Sequence, residues 1–240
     1  MDRQTFHQHR FRGAELASLE LKTNGWLHIP SALATSPVAI LSALGPLIPS
    51  REGLLHRDLM PLKRDSAPPA SMSSKTGPGE QPMHTDAAFY PTPPRYIAFQ
   101  CLEPGEASCP THVWTLDLAR LKRDRPTLLT TAGWVAHGGG CLPFYCSVME
   151  VRREETRIRF DPFCMRPICR RIDAVDKVKQ ALGDYSQHFS FEWKTGSMLI
   201  VDNWRCLHAR GSGGEKAPSR RLRRWSIGVD YGLVDRFSLR

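Results

Sequence analysis

His84 and Asp86 stand two residues apart in the segment QPMHTDAAF, which runs from Gln81 to Phe89. In an extended chain, side chains two apart project to the same side. An imidazole nitrogen and a carboxylate oxygen so placed can chelate one metal ion. An H-x-D pair alone is common, and its plain reading is a hydrogen-bonded pair on a strand. It gains meaning 124 residues later, where the turn glycine Gly196 leads into the apolar run Met198–Val201, then an Asp202-Asn203 corner, then His208. Two imidazoles and one carboxylate on one face form the ligand pattern of mononuclear non-haem Fe(II). Three protein ligands leave three octahedral positions, two for a bidentate co-substrate and one for O2.

Twelve residues past His208 comes Arg220, in RRLRRWSI. Positions 220, 222 and 224 share one face of a strand. A buried guanidinium grips a carboxylate through two parallel hydrogen bonds. A dicarboxylic co-substrate needs such a clamp at the end far from the metal. Arg221 competes for the role. Arg220 is preferred because its register turns Leu222 and Arg224 inward and Arg221, Arg223 and Trp225 outward; a one-residue slip would reverse this.

These residues need strands to hold them. Gly25–Pro30 reads as a short strand, and Ser36–Leu47 as a helix with Ser36 as N-cap and Pro37 at its first position. Strands are expected over 95–102, 113–118, 144–151, 156–160, 189–193, 197–201 and about 222–231, with a charged turn at 152–155. Val175, Val178 and Leu182 give residues 173–182 the spacing of an amphipathic helix. Residues 63–82 are rich in Ser, Pro, Gly and Lys and too poor in large apolar residues to form a packed element, so they read as a flexible loop or lid running into His84. Short strands separated by turns, with two or three helices, predict a mainly β sandwich or barrel with flanking helices. Trp114, Trp193, Trp204 and Trp225 read as core. Phe89, Tyr90 and Phe160 are candidate pocket walls. His112, His137 and His188 carry no assigned role.

The chain has 240 residues, 41% of them hydrophobic and 24% charged, which suits one soluble domain with a real core. Lys and Arg number 33 against 24 Asp and Glu, a formal charge of +9. That balance favours acidic partners, although the charge is spread, with clusters at 120–125, 166–171 and 220–224. Seven cysteines without a C-x-x-C pair exclude a zinc-ribbon reading and predict reduced thiols in a cytoplasmic protein. Met1–Gly13 is polar and basic rather than signal-like, and no apolar run is long enough to span a bilayer.

Taken together, the H-T-D motif, the Gly196-to-His208 segment, the following R-x-x-x-R, and the Pro-Pro before the strand near Tyr96 resemble one family. It is the taurine dioxygenase-like (clavaminate synthase-like) branch of the Fe(II)/2-oxoglutarate-dependent dioxygenases, over residues 24–232. The resemblance implies a double-stranded β-helix, the cupin-like jelly roll, as a single oxygenase domain. It implies His84, Asp86 and His208 as iron ligands and Arg220 on the distal carboxylate of 2-oxoglutarate. Arg224 would lie nearer the iron, on co-substrate or an anionic substrate group. Thr111, in T-H-V-W-T, would be a further 2-oxoglutarate contact, a place for which His112 competes. The carboxylate ligand is absent from halogenating relatives, so Asp86 points to oxidation without halide.

The implied function is oxidation of an unactivated C–H bond in a small, carboxylate-bearing molecule, with release of succinate and CO2. The +9 charge also suits a substrate tethered to an acidic carrier. Two alternatives stand beside it. One is a nucleic-acid demethylase of the same superfamily, disfavoured because the longer R-x-N-x-T-x-R pattern and a basic, aromatic stripe are missing. The other is a non-catalytic, metal-binding cupin-like protein. The loop at 63–82 and the glycine-rich stretch 138–146 are expected to select the substrate.

Overall fold

A computed structural model describes residues 19–32, 36–50, 52–69, 71–130, 133–152, 155–168 and 173–229. The basic stretch beyond residue 168, the N-terminal segment Met1–Gly13 and the end of the last expected strand, at Tyr231, lie outside the described residues.

Thirteen strands are described: β1 (Trp26–Ile29), β2 (Arg57–Leu59), β3 (Tyr96–Glu103), β4 (Thr111–Leu116), β5 (Trp134–Gly138), β6 (Cys141–Cys146), β7 (Met149–Arg152), β8 (Glu155–Ile158), β9 (Met165–Pro167), β10 (Ser186–Phe191), β11 (Met198–Asp202), β12 (Cys206–Arg210) and β13 (Arg221–Ile227). They form a five-stranded sheet in the order β1-β11-β3-β13-β2, two three-stranded sheets, β10-β4-β12 and β6-β5-β9, and the hairpin β7-β8. Every pairing is antiparallel. The expected mainly β architecture with flanking helices is what the chain adopts.

Side-chain alternation explains the layers. Along β11, Leu199 and Val201 point to one side and join Ile97, Phe99, Val113, Cys206 and Leu222 in a buried cluster between the five-stranded sheet and β10-β4-β12. Met198 and Ile200 point to the other side, where Leu21, Leu41 and Trp225 cover them. Buried on both faces, β11 reads as a continuous apolar run. Each such large side chain contributes about 1.5–3 kcal/mol by leaving water. A third cluster lies outside β4 and β12 and includes Leu116, Leu207, Phe160 and the buried face of the helix Ala174–Asp184. That helix buries Val178, Ala181 and Leu182, as its spacing predicts.

Several expectations are corrected. The first helix spans only Pro37–Ser42, and Ser36 makes no side-chain cap. Gly45-Pro46 ends the helical stretch, because the residue before proline is disfavoured in helical conformation. Leu47 instead bridges to Ile227. The single strand expected over 144–151 is broken at Ser147-Val148, its halves pairing with β5 and β8 respectively. Trp225 faces outward from the site and is 3% exposed, in the core as expected, because a second apolar layer covers it. Phe160 is fully buried in the core and is not a pocket wall. Trp114 is half-buried and stacks on His188, with centroids 4.9 Å apart. Among the described residues, no helix is long and apolar enough to cross a membrane.

Candidate metal centre

His84 and His208 form an isolated antiparallel bridge. His84 N donates to His208 O at 3.0 Å, and His208 N donates to His84 O at 2.9 Å. The bridge fixes both backbones and sets the imidazole centroids 4.6 Å apart. His208 lies on the inner face of β12, and its Phe99 neighbour on β3 packs edge-on at 5.4 Å.

Asp86 completes the group. One ligand atom from each of His84, Asp86 and His208 lies within 4.8 Å of the others. Asp86 Oδ1 is 3.6 Å from His84 Nε2 and 3.8 Å from His208 Nε2, too long for hydrogen bonds. The other oxygen, Oδ2, accepts from Arg224 Nη1 at 2.9 Å. The carboxylate is thus divided, one oxygen toward the imidazoles and one toward a guanidinium. His84 Nδ1 lies 2.9 Å from Pro82 O. A proton held there leaves Nε2 with its lone pair directed at Asp86, the tautomer a metal needs.

The electrostatics follow from burial. Burial alone would raise the Asp86 carboxyl. Arg224, then the nearby His84 imidazole and the charge of His208, outweigh it and hold the group well below the usual carboxylate range. Burial, followed by the nearby His84, pushes His208 down to about 3, so its imidazole is neutral. For His84 burial acts downward, but Asp86 prevails and the net shift is upward.

Arg220 precedes β13 and is 3% exposed, whereas Arg221 is exposed. The structure therefore puts Arg220, and not Arg221, in the interior. Its Nε donates to Cys109 O at 3.1 Å and its Nη2 to Thr111 Oγ1 at 3.3 Å. Thr111 Oγ1 also accepts from Trp193 Nε1 at 3.0 Å, which leaves its own proton to donate. Among the described residues, Arg220 forms no ion pair with a carboxylate. Of the residues named by spacing or by the resemblance, the structure brings His84, Asp86, His208 and Arg224 into one group and Arg220 and Thr111 into direct contact. Arg224 contacts the metal-facing carboxylate itself, a partner that the sequence did not suggest.

Sequence reasoning missed the groups that frame Asp86. Ala87 has a left-handed φ of 56°, a conformation costing about 1–3 kcal/mol in a non-glycine residue. Arg159, fully buried, donates to the carbonyls of Ala88 and Pro91 at 2.6 and 2.9 Å. Charge inside a strand pattern was its only available signal. The 63–82 loop also differs from expectation. It contains helical turns at Arg64–Ser66 and Ser73–Thr76. Arg210 anchors it, donating to Gly79 O at 3.0 Å and Gly77 O at 2.6 Å. In the glycine-rich stretch, Gly139 rests on the Phe89 ring, where any Cβ would come within 2.2 Å. A cavity of about 600 Å³ near Asn24, Asp117, Tyr185 and Arg205 lies apart from the triad.

Residues 170–225 match the family model for taurine catabolism dioxygenase TauD, TfdA family. No curated protein matches the chain significantly in sequence. Solved structures do match in shape. Asparagine oxygenase in complex with Fe(II), 2S,3S-3-hydroxyasparagine and succinate is 14% identical, with a TM-score of 0.63 over 90% of this chain and 79% of that one. The non-heme iron oxygenase OrfP in complex with Fe and alpha-ketoglutaric acid is 20% identical, with a TM-score of 0.61 over 80% of this chain and 63% of that one. OrfP with Fe, succinate and (3S)-hydroxy-L-Arg gives 18% identity and a TM-score of 0.60, over 80% and 66% of the two chains.

The fold is that of the taurine dioxygenase-like oxygenases. The facing sheets are accordingly the two halves of the expected jelly roll. Within this taurine dioxygenase-like fold, the chain spans less than two thirds of the length of OrfP. The family-model match covers His208, Arg220 and Arg224 but ends well short of His84 and Asp86 in the other direction. The triad therefore stands on its geometry.

Proposed function

We propose that the chain, acting as a single domain, is an Fe(II)- and 2-oxoglutarate-dependent oxygenase. It hydroxylates or otherwise oxidises an unactivated C–H bond of a small, amino-acid-like molecule and releases succinate and CO2. One observation carries the reading: two imidazole nitrogens and Asp86 Oδ1 converge within 4.8 Å inside the sandwich. This donor set suits ferrous iron, and the Pro82 and Arg224 contacts prepare it without any ion.

Bound there, iron supplies O2 activation coupled to oxidative decarboxylation of 2-oxoglutarate, and with it the power to attack a C–H bond. The protein's groups do the rest. Pro82 keeps the His84 proton on Nδ1. Arg224 keeps Asp86 ionised and its Oδ1 turned inward. Arg220 and the Thr111 hydroxyl would receive the distal carboxylate of 2-oxoglutarate, the counter-charge that the buried guanidinium lacks among the described residues. Phe99 closes the site on its apolar side, against His208.

The substrate class is supported by the amino-acid products seen in asparagine oxygenase and OrfP. A carrier-tethered amino acid is the second form, favoured by the +9 charge. A cytoplasmic location is supported by the buried thiols of Cys101, Cys109, Cys146, Cys164 and Cys206, none of them in a disulfide among the described residues.

Anaerobic titration with Fe(II) and then 2-oxoglutarate should give a weak charge-transfer absorption in the green with the wild type and none with His84→Ala. Absence of the band, with no stoichiometric iron, would overturn the reading. A band without succinate release on any free or carrier-bound amino acid would overturn the substrate class alone.

A further inference from the structure

The Asp202-Asn203 corner between β11 and β12 has no part in the reaction proposed above, yet its side chains converge on the segment that carries Asp86. Asp202 Oδ2 accepts from Arg95 Nη2 at 3.1 Å. Trp204 Nε1 donates to Pro93 O at 3.0 Å. Asn203 is fully buried, and its own N–H donates to Arg95 O at 2.8 Å. Its side chain reaches Asp86 twice: Oδ1 accepts from Asp86 N at 2.7 Å, and Nδ2 donates to Asp86 O at 3.0 Å. A third bond runs from Nδ2 to Pro94 O at 3.1 Å.

These contacts matter because of where Asp86 sits. The two histidines hold each other through their backbone bridge. Asp86 lies beyond that bridge, in a turn, and precedes the left-handed Ala87. Among the described residues, its peptide groups form no backbone–backbone hydrogen bond outside regular elements. A carboxamide presents one acceptor and one donor side by side, the complement of one residue's N–H and C=O. Asn203 thus does for Asp86 what a neighbouring strand does for His84.

We infer that Asn203 is the positioning residue of the carboxylate ligand. It fixes the Asp86 backbone so that Oδ1 faces the imidazoles and Oδ2 faces Arg224. The inference rests on the reading of His84, Asp86 and His208 as a metal site. Asn203 touches no ligand atom and acts only through Asp86. Replacing the amide by a carboxyl in Asn203→Asp keeps the acceptor for Asp86 N–H but sets oxygen against the carbonyls of Asp86 and Pro94.

The test uses cobalt(II), which reports its geometry through visible d–d bands, added anaerobically to the full chain. Wild type, Asn203→Asp, Asn203→Ala and Trp204→Phe are compared. Trp204→Phe removes a bond of the same corner to Pro93 but none to Asp86, so it controls for general loosening. Cobalt affinity is expected to fall about 10–100-fold in the Asn203 variants, with altered band positions, and to hold in Trp204→Phe. Equal losses in all three variants, or unchanged spectra in the Asn203 variants, would overturn the inference. Metal-free crystals of Asn203→Asp give a readout that does not depend on metal binding. Asp86 Oδ2 should leave Arg224, and its retention at the 2.9 Å of the wild type would overturn the inference even if the wild type bound no metal.

Discussion

Two buried arginines, Arg159 and Arg220, solve the same physical problem differently. An unpaired buried charge is costly, so each guanidinium needs acceptors and a counter-charge. Arg159 has both. It donates to three backbone carbonyls in the segment 88–91 and to Glu150 Oε1 at 3.3 Å, and it lies over the Phe144 ring at 5.1 Å. Arg157 shares Glu150 with a bond of 2.7 Å. Arg220 has one carbonyl and one hydroxyl, and no carboxylate partner among the described residues. A cation whose counter-charge is built in belongs to the scaffold. One that lacks it among the described residues, as Arg220 does, is the group proposed above to receive an anion from outside.

The contrast breaks most visibly in stability. Arg159→Leu takes one guanidinium from Glu150 and strands the carbonyls of Ala88 and Tyr90, while Pro91 O keeps its bond from Arg157. The expected loss is about 3–5 kcal/mol, which lowers Tm by roughly 10 °C in a chain of this size. Thermal unfolding measures it, and a loss below about 1 kcal/mol would mean that the Arg159 network is not scaffold.

Arg210 is an intermediate case, anchoring the 63–82 segment through the carbonyls of Gly77 and Gly79 and the Ser73 hydroxyl. Burial pushes its guanidinium down to about 10, which still leaves it charged at neutral pH. Arg210→Ala should cost about 1–3 kcal/mol, the usual penalty for stranded acceptors. Limited proteolysis should then cut between residues 63 and 82 before any other described loop. Cleavage elsewhere first would show that Arg210 does not anchor this segment.

Arg220→Met should change stability by less than about 1 kcal/mol in either direction, since an uncompensated buried cation stabilises little. The effect should appear in ligand binding. At one hundred times Kd, 2-oxoglutarate is expected to stabilise the wild type by about 2.7 kcal/mol and the variant by almost nothing. In turnover, KM for 2-oxoglutarate should rise by roughly two orders of magnitude, a loss of about 2.7 kcal/mol of binding. Equal ligand stabilisation of both proteins would remove Arg220 from the co-substrate site.

The same two residues show what the sequence could reveal. Arg220 was legible because strand alternation ranks neighbouring positions as inward or outward, and the bulge between Arg221 and Leu222 did not disturb that choice. His84 and Asp86 were legible for a similar reason: their spacing is local. Arg159 was not, because its role is defined by carbonyls about 70 residues earlier in the chain. Asn203 stood in a visible motif, but its work depends on a contact 117 residues away. The short strands β2, β5 and β9 escaped because three to five residues of mixed polarity carry little periodicity. The anchored 63–82 loop escaped because composition counts apolar residues and not the carbonyls that one arginine can collect.

The smallest effect belongs to an arginine near the surface, which bounds the comparison from below. Arg223 bonds Asp58 through both guanidinium arms, at 2.7 and 3.0 Å, with about a third of each side chain exposed. The hydrogen bond from Arg223 holds the Asp58 carboxyl below its ordinary 3.8, although partial burial works the other way. Because the folded value is depressed, the pair's contribution is present above the unfolded value and is lost as pH falls through the folded one. Water and salt screen such pairs, so a double-mutant cycle of Asp58→Asn and Arg223→Gln should give only about 0.2–1 kcal/mol at pH 7. The coupling should fade as pH drops below 3.8 and shrink in high salt. A coupling that persisted undiminished below that range would show that it is not ionic. One as large as the Arg159 loss would show that burial is not what separates these arginines.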